Sequence, residues 1–192
     1  WIRRLGGRVV PFLPHRIRDG YDLGNAGLET ARAAGASLLV TVDCGVLAFD
    51  ALERARGWGM DVIVTDHHAP GEALPPALAV VNPGRQDSSY PNPWLCGAGV
   101  AFKVCQGLAG ALGASQEELH PHLDLVALAT VADLVPLTGE NRVLARLGLK
   151  AMARTGNPGL RALMVRSGVT PESLSARALG FLLAPRLNAV GR

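Results

Sequence analysis

Apolar and polar positions divide the chain into two regimes. In the first half, unbroken apolar runs alternate with amphipathic stretches. Residues 37–42 (SLLVTV) form such a run, which predicts a strand buried on both faces of a sheet. Residues 61–65 (DVIVT) predict a second buried strand and residues 78–81 a third. Helical spacing at 26–34, stopped by Gly35, and at 49–56 fills the intervals. Residues 8–13 (RVVPFL) are β-prone, and Pro11 within them predicts a short strand near a sheet edge. Strands alternating with helices predict a parallel sheet with right-handed crossovers. From Gly97 onward the pattern is helical: 98–112, a capped start at Ser115, then 124–133, 141–154 and 175–184. No repeat period interrupts this order. The expected fold class is α/β, a parallel-sheet unit with a helical C-terminal half, read as one integrated domain over 1–192.

Composition narrows the class. With 192 residues, 48% hydrophobic and 18% charged, the chain can bury a sizeable core and is not a disordered polyelectrolyte. No apolar window is long and unbroken enough to predict a membrane span. Three cysteines, Cys44, Cys96 and Cys105, without a C-x-x-C pair, point away from a disulfide scaffold and toward a cytoplasmic setting. The net charge is only +3, but nearly all the basic residues are Arg: among the 19 Lys and Arg, only Lys103 and Lys150 are Lys. A GC-rich coding bias explains that skew, and so does phosphate recognition by planar guanidinium groups. The chain opens on Trp1 without a signal-peptide pattern, which reads as a piece of something longer.

Ionisable residues gather where ligands bind in open parallel sheets, beyond the carboxyl ends of the strands. Asp43 follows LLVTV, and Asp66-His67-His68 follow VIVT. A lone strand-end Asp is equally well explained as a helix cap. Two adjacent histidines after a buried strand have no packing rationale, because desolvating unpaired imidazoles is costly. Asp133 ends the apolar helix LVALATVAD, where the helix dipole disfavours a carboxylate, so it needs a compensating cation. An Arg or a metal ion serves that need. Asp43, His67 and Asp133 offer two hard oxygens and a borderline nitrogen, a set suited to Mn²⁺ or Mg²⁺. Three ligands are too few for a two-metal site, so further carboxylates are expected ahead of Trp1.

Six stretches carry a family resemblance. VTVDCG ending at Gly45, VIVTDHHAPGEALPPALAVVNP (62–83) and ATVADLVPL (129–137) resemble the second, third and fourth motifs of the DHH phosphoesterase superfamily. PHRIRDGYDL (14–23), CGAGVAFKV (96–104) and APRLNAVGR (184–192) resemble its RecJ-like branch of single-strand-specific exonucleases. The resemblance runs through the whole chain in the expected order.

It implies two bound Mn²⁺ or Mg²⁺ ions, with Asp43 bridging them and His67 and Asp133 completing one shell. His68 would contact the scissile phosphate as a proton donor to the leaving oxygen, and Asp66 would orient a histidine. His15, Arg16, Gly97, Gly99, Arg186, Asn188 and Arg192 would face substrate phosphates, Gly97 and Gly99 through backbone amides. The implied activity is 5′-to-3′ degradation of single-stranded DNA to mononucleotides in repair and recombination. Single-stranded DNA is the implied partner, with a single-strand-binding protein and a RecQ-like helicase, and no membrane. The family's first motif, an Asp-x-Asp cluster, is not present, so the chain alone is expected to be inactive. Asp22 stands where the family usually has Gly, and Cys96 where it usually has Thr. A small-molecule DHH phosphoesterase and a non-catalytic scaffold are the alternatives. The RecJ-like stretches speak against the first and the retained metal-ligand positions against the second.

Overall fold

The computed structural model of the chain describes residues 1–190. It resolves into two compact units, Trp1–Ser89 and Tyr90–Arg192.

The first unit is built on three parallel strands in the order β1 (Leu38–Val42), β2 (Asp61–Thr65), β3 (Ala79–Val81). The register pairs Val40 with Ile63 and Ile63 with Ala79. Helix α1 (Asn25–Ala33) precedes β1, and α2 (Phe49–Gly57) links β1 to β2. Leu28, Leu52, Ala55, Met60, Val62 and Val64 form the core that seats the helices on the sheet. Burial of such side chains contributes about 1.5–3 kcal/mol each.

Two expectations need correction here. β2 is central and well buried, but β1 is not buried on both faces: Leu38 and Val42 are 46% and 52% exposed. Among the described residues β1 pairs only with β2. Residues 8–13 form no strand: Pro11 within them has no amide to donate, Pro14 follows, and among the described residues no strand pairs with them. Phe12 packs against Gly27 of α1 instead, where an added Cβ would approach the ring to 3.3 Å.

The second unit is helical. Helix α3 (Gly97–Ala111) is followed by a 3₁₀ segment (Gln116–His122), α4 (Leu123–Ala132), α5 (Gly139–Met152) and α6 (Pro158–Arg166). A composite helix closes it, α7 (Ala176–Ala178), a π turn (Leu179–Leu183) and α8 (Ala184–Val190). Its core joins Ala127, Leu128, Met152, Leu160, Leu179 and Leu183. Helix α6 has a readable start that helical periodicity alone did not reveal: Asn157 caps the Gly159 and Leu160 amides, and Pro158 occupies the first turn. Among the described residues no helix is long and apolar enough to cross a membrane.

Candidate active site

β1 and β2 both end in chemistry. The Asp43 amide donates to the Thr65 carbonyl (2.9 Å) and the Asp66 amide to the Val81 carbonyl (3.0 Å), so the ladder continues into the loops. Asp43 then turns with φ +65°, a left-handed conformation that is costly for a residue with a Cβ and typical of functional sites. The turn is braced from below. The Thr41 hydroxyl donates to the Cys44 carbonyl (2.7 Å), and the Thr65 hydroxyl donates to the Thr41 carbonyl (2.6 Å). Gly45 has φ +104°, and a Cβ there would lie 2.8 Å from the Thr41 hydroxyl, so only glycine fits.

Asp66 is buried, 1% exposed, and its carboxylate is saturated. One oxygen accepts the Val46 amide (3.0 Å). The other accepts the His67 and His68 amides (2.8 and 3.2 Å) and lies 2.7 Å from His68 Nδ1. Burial alone would raise the Asp66 pKa, but the hydrogen bonds from Val46, His68 and His67 outweigh it and hold the carboxyl below its ordinary value. An ionised Asp66 can only accept, so His68 Nδ1 carries the proton and Nε2 faces outward. Asn82 fixes the other end of the turn, donating to the His68 carbonyl (2.8 Å) while accepting from the Gly84 amide (2.8 Å).

His67 turns the other way, with Nε2 3.0 Å from Asp43 Oδ1. The two imidazole rings lie 4.5 Å apart and are tilted by 52°. Asp43, His67 and His68 each offer a ligand atom within 4.8 Å of the others. One carboxylate oxygen and two imidazole nitrogens suit a borderline divalent cation such as Mn²⁺, and the exposed Asp43 carboxylate leaves the set open to solvent and substrate. Neighbouring Cys44 does not join the set. Burial first, then the Asp22 and Asp66 carboxylates, push its thiol up to about 11, so it stays protonated at neutral pH.

The remaining sequence-predicted residues fall elsewhere. His15 and Arg16 occupy an exposed loop: the His15 amide donates to Asp19 (2.8 Å), and the Arg16 guanidinium bonds the Tyr21 hydroxyl and lies 4.1 Å over its ring. Asp22, in the same loop, has φ +75° and accepts from the Leu23 amide (2.7 Å). Asp133 belongs to the second unit, where it is the exposed C-cap of α4, followed by Leu134 at φ +57°. Gly97 and Gly99 are buried in the first turn of α3, and the Gly99 amide is already engaged by the N-cap Cys96 sulfur (3.3 Å). Arg186 bonds the Leu182 carbonyl one turn back (2.5 Å), Asn188 is exposed on α8, and Arg192 lies outside the described residues. The sequence reading missed Val46, Asn82 and Thr41. Asn82 alone left a signal, as a polar residue closing a strand before Pro83.

The profile of the DHH family, N-terminal domain, matches residues 1–130. The single-stranded-DNA-specific exonuclease RecJ of Dickeya dadantii is 44% identical over all of this chain and 35% of its own length. That of Bacillus subtilis is 42% identical over all of this chain and 24% of its own length. The chain therefore spans about a quarter to a third of these curated relatives. The crystal structure of an exonuclease RecJ bound to manganese superimposes with a TM-score of 0.85 at 36% identity, covering 99% of this chain and 47% of that one. A profile covering most of the chain, and containing the strand-end Asp43 and the Asp66-His67-His68 turn, places it in the DHH family.

Proposed function

We propose that this chain forms the DHH part of a metal-dependent nuclease that hydrolyses single-stranded DNA in the 5′-to-3′ direction, releasing mononucleotides in repair and recombination. The observation that carries the reading is the Asp43–His67–His68 cluster set beyond the strand ends and locked by the buried Asp66. Kinship with single-stranded-DNA-specific exonucleases supports the polymer substrate, and a manganese-bound relative supports Mn²⁺ or Mg²⁺ as the cofactor. We assign residues 1–192 to one DHH domain. The proposed partners are single-stranded DNA, a single-strand-binding protein and a RecQ-like helicase, in the cytoplasm.

Asp43 and His67 hold the metal, and Asp133 is assigned as a further carboxylate ligand on the strength of its ATVADLVPL motif. Bound divalent cations supply Lewis acidity toward the phosphate and an activated water. Asp66 keeps His68 Nδ1 protonated, so Nε2 is presented to the scissile phosphate and, once protonated, can donate to the leaving oxygen. Asn82 holds the His68 backbone, which fixes the direction of that imidazole. His15, Arg16, Gly97, Gly99, Arg186, Asn188 and Arg192 are proposed to contact phosphates of the strand.

In an enzyme that joins this chain to the Asp-x-Asp motif, hydrolysis of a 3′-labelled single strand, a blunt duplex and a cyclic dinucleotide, compared with Mn²⁺ present, tests this. The expected outcome is mononucleotide release from the single strand alone, abolished by Asp43→Ala. Preference for the cyclic dinucleotide, or equal turnover of blunt duplex, would contradict it.

A further inference from the structure

The helical unit carries a second charged feature, separate in sequence from the Asp66-His67-His68 turn. Helix α5 buries Asn141, Leu144, Ala145, Gly148 and Met152. At about 100° per residue these share one face, and the opposite face holds Arg142, Arg146 and Lys150. Arg154, in the turn that follows, continues the four-residue spacing. All four are exposed, and among the described residues none has an ion-pair partner. No carboxylate stands three or four positions from any of them. Glu140, the acid of the first turn, is already engaged by Tyr90 (2.8 Å) and Lys103 (3.1 Å).

This arrangement opposes folding. Like charges at i,i+4 repel, and Arg142 sits in the first turn of α5, where the helix dipole disfavours a cation. A coding bias toward Arg accounts for how many there are, but not for four in phase with none neutralised. The row also has an end point. Lys150 and Arg154 line a cavity of about 1180 Å³ shared with His120, His122 and the Asn157 turn. Two carboxylates border it: Asp124, which accepts the Thr155 hydroxyl (2.5 Å), and Glu117. Exposed Val143 and Leu147 flank the row.

We propose that Arg142, Arg146, Lys150 and Arg154 form a backbone-binding track on the helical unit for the phosphates of single-stranded nucleic acid, leading into the His120–Asn157 cavity. Successive cations rise about 6 Å along the helix, a periodic charge that matches a repeating anion rather than a single phosphate. No aromatic side chain lies in the row, so the track reads phosphates without base preference. The proposal rests on the reading of the ligand as a polynucleotide, and is independent of the metal cluster.

Fluorescence anisotropy of a labelled deoxythymidine oligomer, titrated with the chain in chelator at a series of salt concentrations, tests it. For a single strand, log K against log salt falls with a slope near −0.7 per neutralised phosphate, so replacing all four residues by Ala is expected to flatten the slope by up to about 3. The R142K/R146K/R154K variant is expected to keep the wild-type slope. The Ala variant is expected to melt no lower than wild type, because repulsion has been relieved. An unchanged slope and affinity in the Ala variant, a wild type that does not bind, or a large fall in its melting temperature would overturn the proposal. Displacement of the oligomer by an acidic peptide at lower charge concentration than by unlabelled oligomer would overturn it in favour of a protein ligand. Asp43→Ala is expected to leave the slope intact. If the slope responds to the track variants while the enzyme completed with the Asp-x-Asp motif cleaves no single strand, the nuclease reading falls and the track stands.

Discussion

Asp66 is the residue on which the turn depends, since it accepts three backbone amides and one imidazole while almost fully buried. Asp66→Ala leaves the Val46, His67 and His68 amides without that acceptor, and buried unsatisfied donors cost about 1–3 kcal/mol. The expected loss of stability lies in that range or above it, read by urea unfolding at neutral pH. The sign with pH follows from the direction of the shift. The Asp66 pKa is lower in the folded chain than its ordinary value of 3.8, so its contribution is fully present above that value. It is lost as pH falls from there through the lower folded value. Unfolding free energies across that acid window should therefore drop more steeply for wild type than for Asp66→Ala. Parallel curves would show that the carboxylate does not carry this role. The strand-end ionisable residues were legible in the sequence because apolar runs end abruptly on them. The partners that lock them were not: a backbone amide such as that of Val46, 20 positions away, leaves no side-chain signature.

Among the elements, helix pairing is set by one small residue. An added Cβ at Gly148 of α5 would lie 2.2 Å from the Leu123 carbonyl oxygen and 2.3 Å from the Ala127 Cβ of α4. These are backbone and packed atoms that cannot swing away. Gly148→Ala is expected to destabilise by about 1–3 kcal/mol despite the better helix propensity of Ala, because overpacking outweighs propensity. A melting temperature raised by the substitution would contradict this close approach. Periodicity located β2, α3, α4 and α5 within a few residues, since each buries one well-marked face. At β1 the apolar run has one pairing neighbour among the described residues, and Leu38 and Val42 are left exposed. The sequence reading also proposed a strand at 8–13 from β-propensity, which the two prolines override.

For the whole molecule, two compact units carry separate chemistries: a DHH cluster at the strand ends of one, and an unneutralised row of cations on the other. The family was legible from motif order alone. The phosphate track was not, because its i,i+4 phase acquires meaning only once the buried face of α5 is known. The central claim is that Asp43 and His67 form the metal-binding core of the site, and that His68, though within 4.8 Å of both, serves the phosphate. Titration calorimetry of Mn²⁺ into wild type, Asp43→Ala, His67→Ala and His68→Ala tests it most directly. The account predicts binding to wild type, no binding to Asp43→Ala, affinity weakened by about tenfold or more in His67→Ala, and nearly wild-type affinity in His68→Ala. Loss of the metal in His68→Ala with retention in His67→Ala would reverse the two histidines, and an Asp43→Ala isotherm matching wild type would contradict the account.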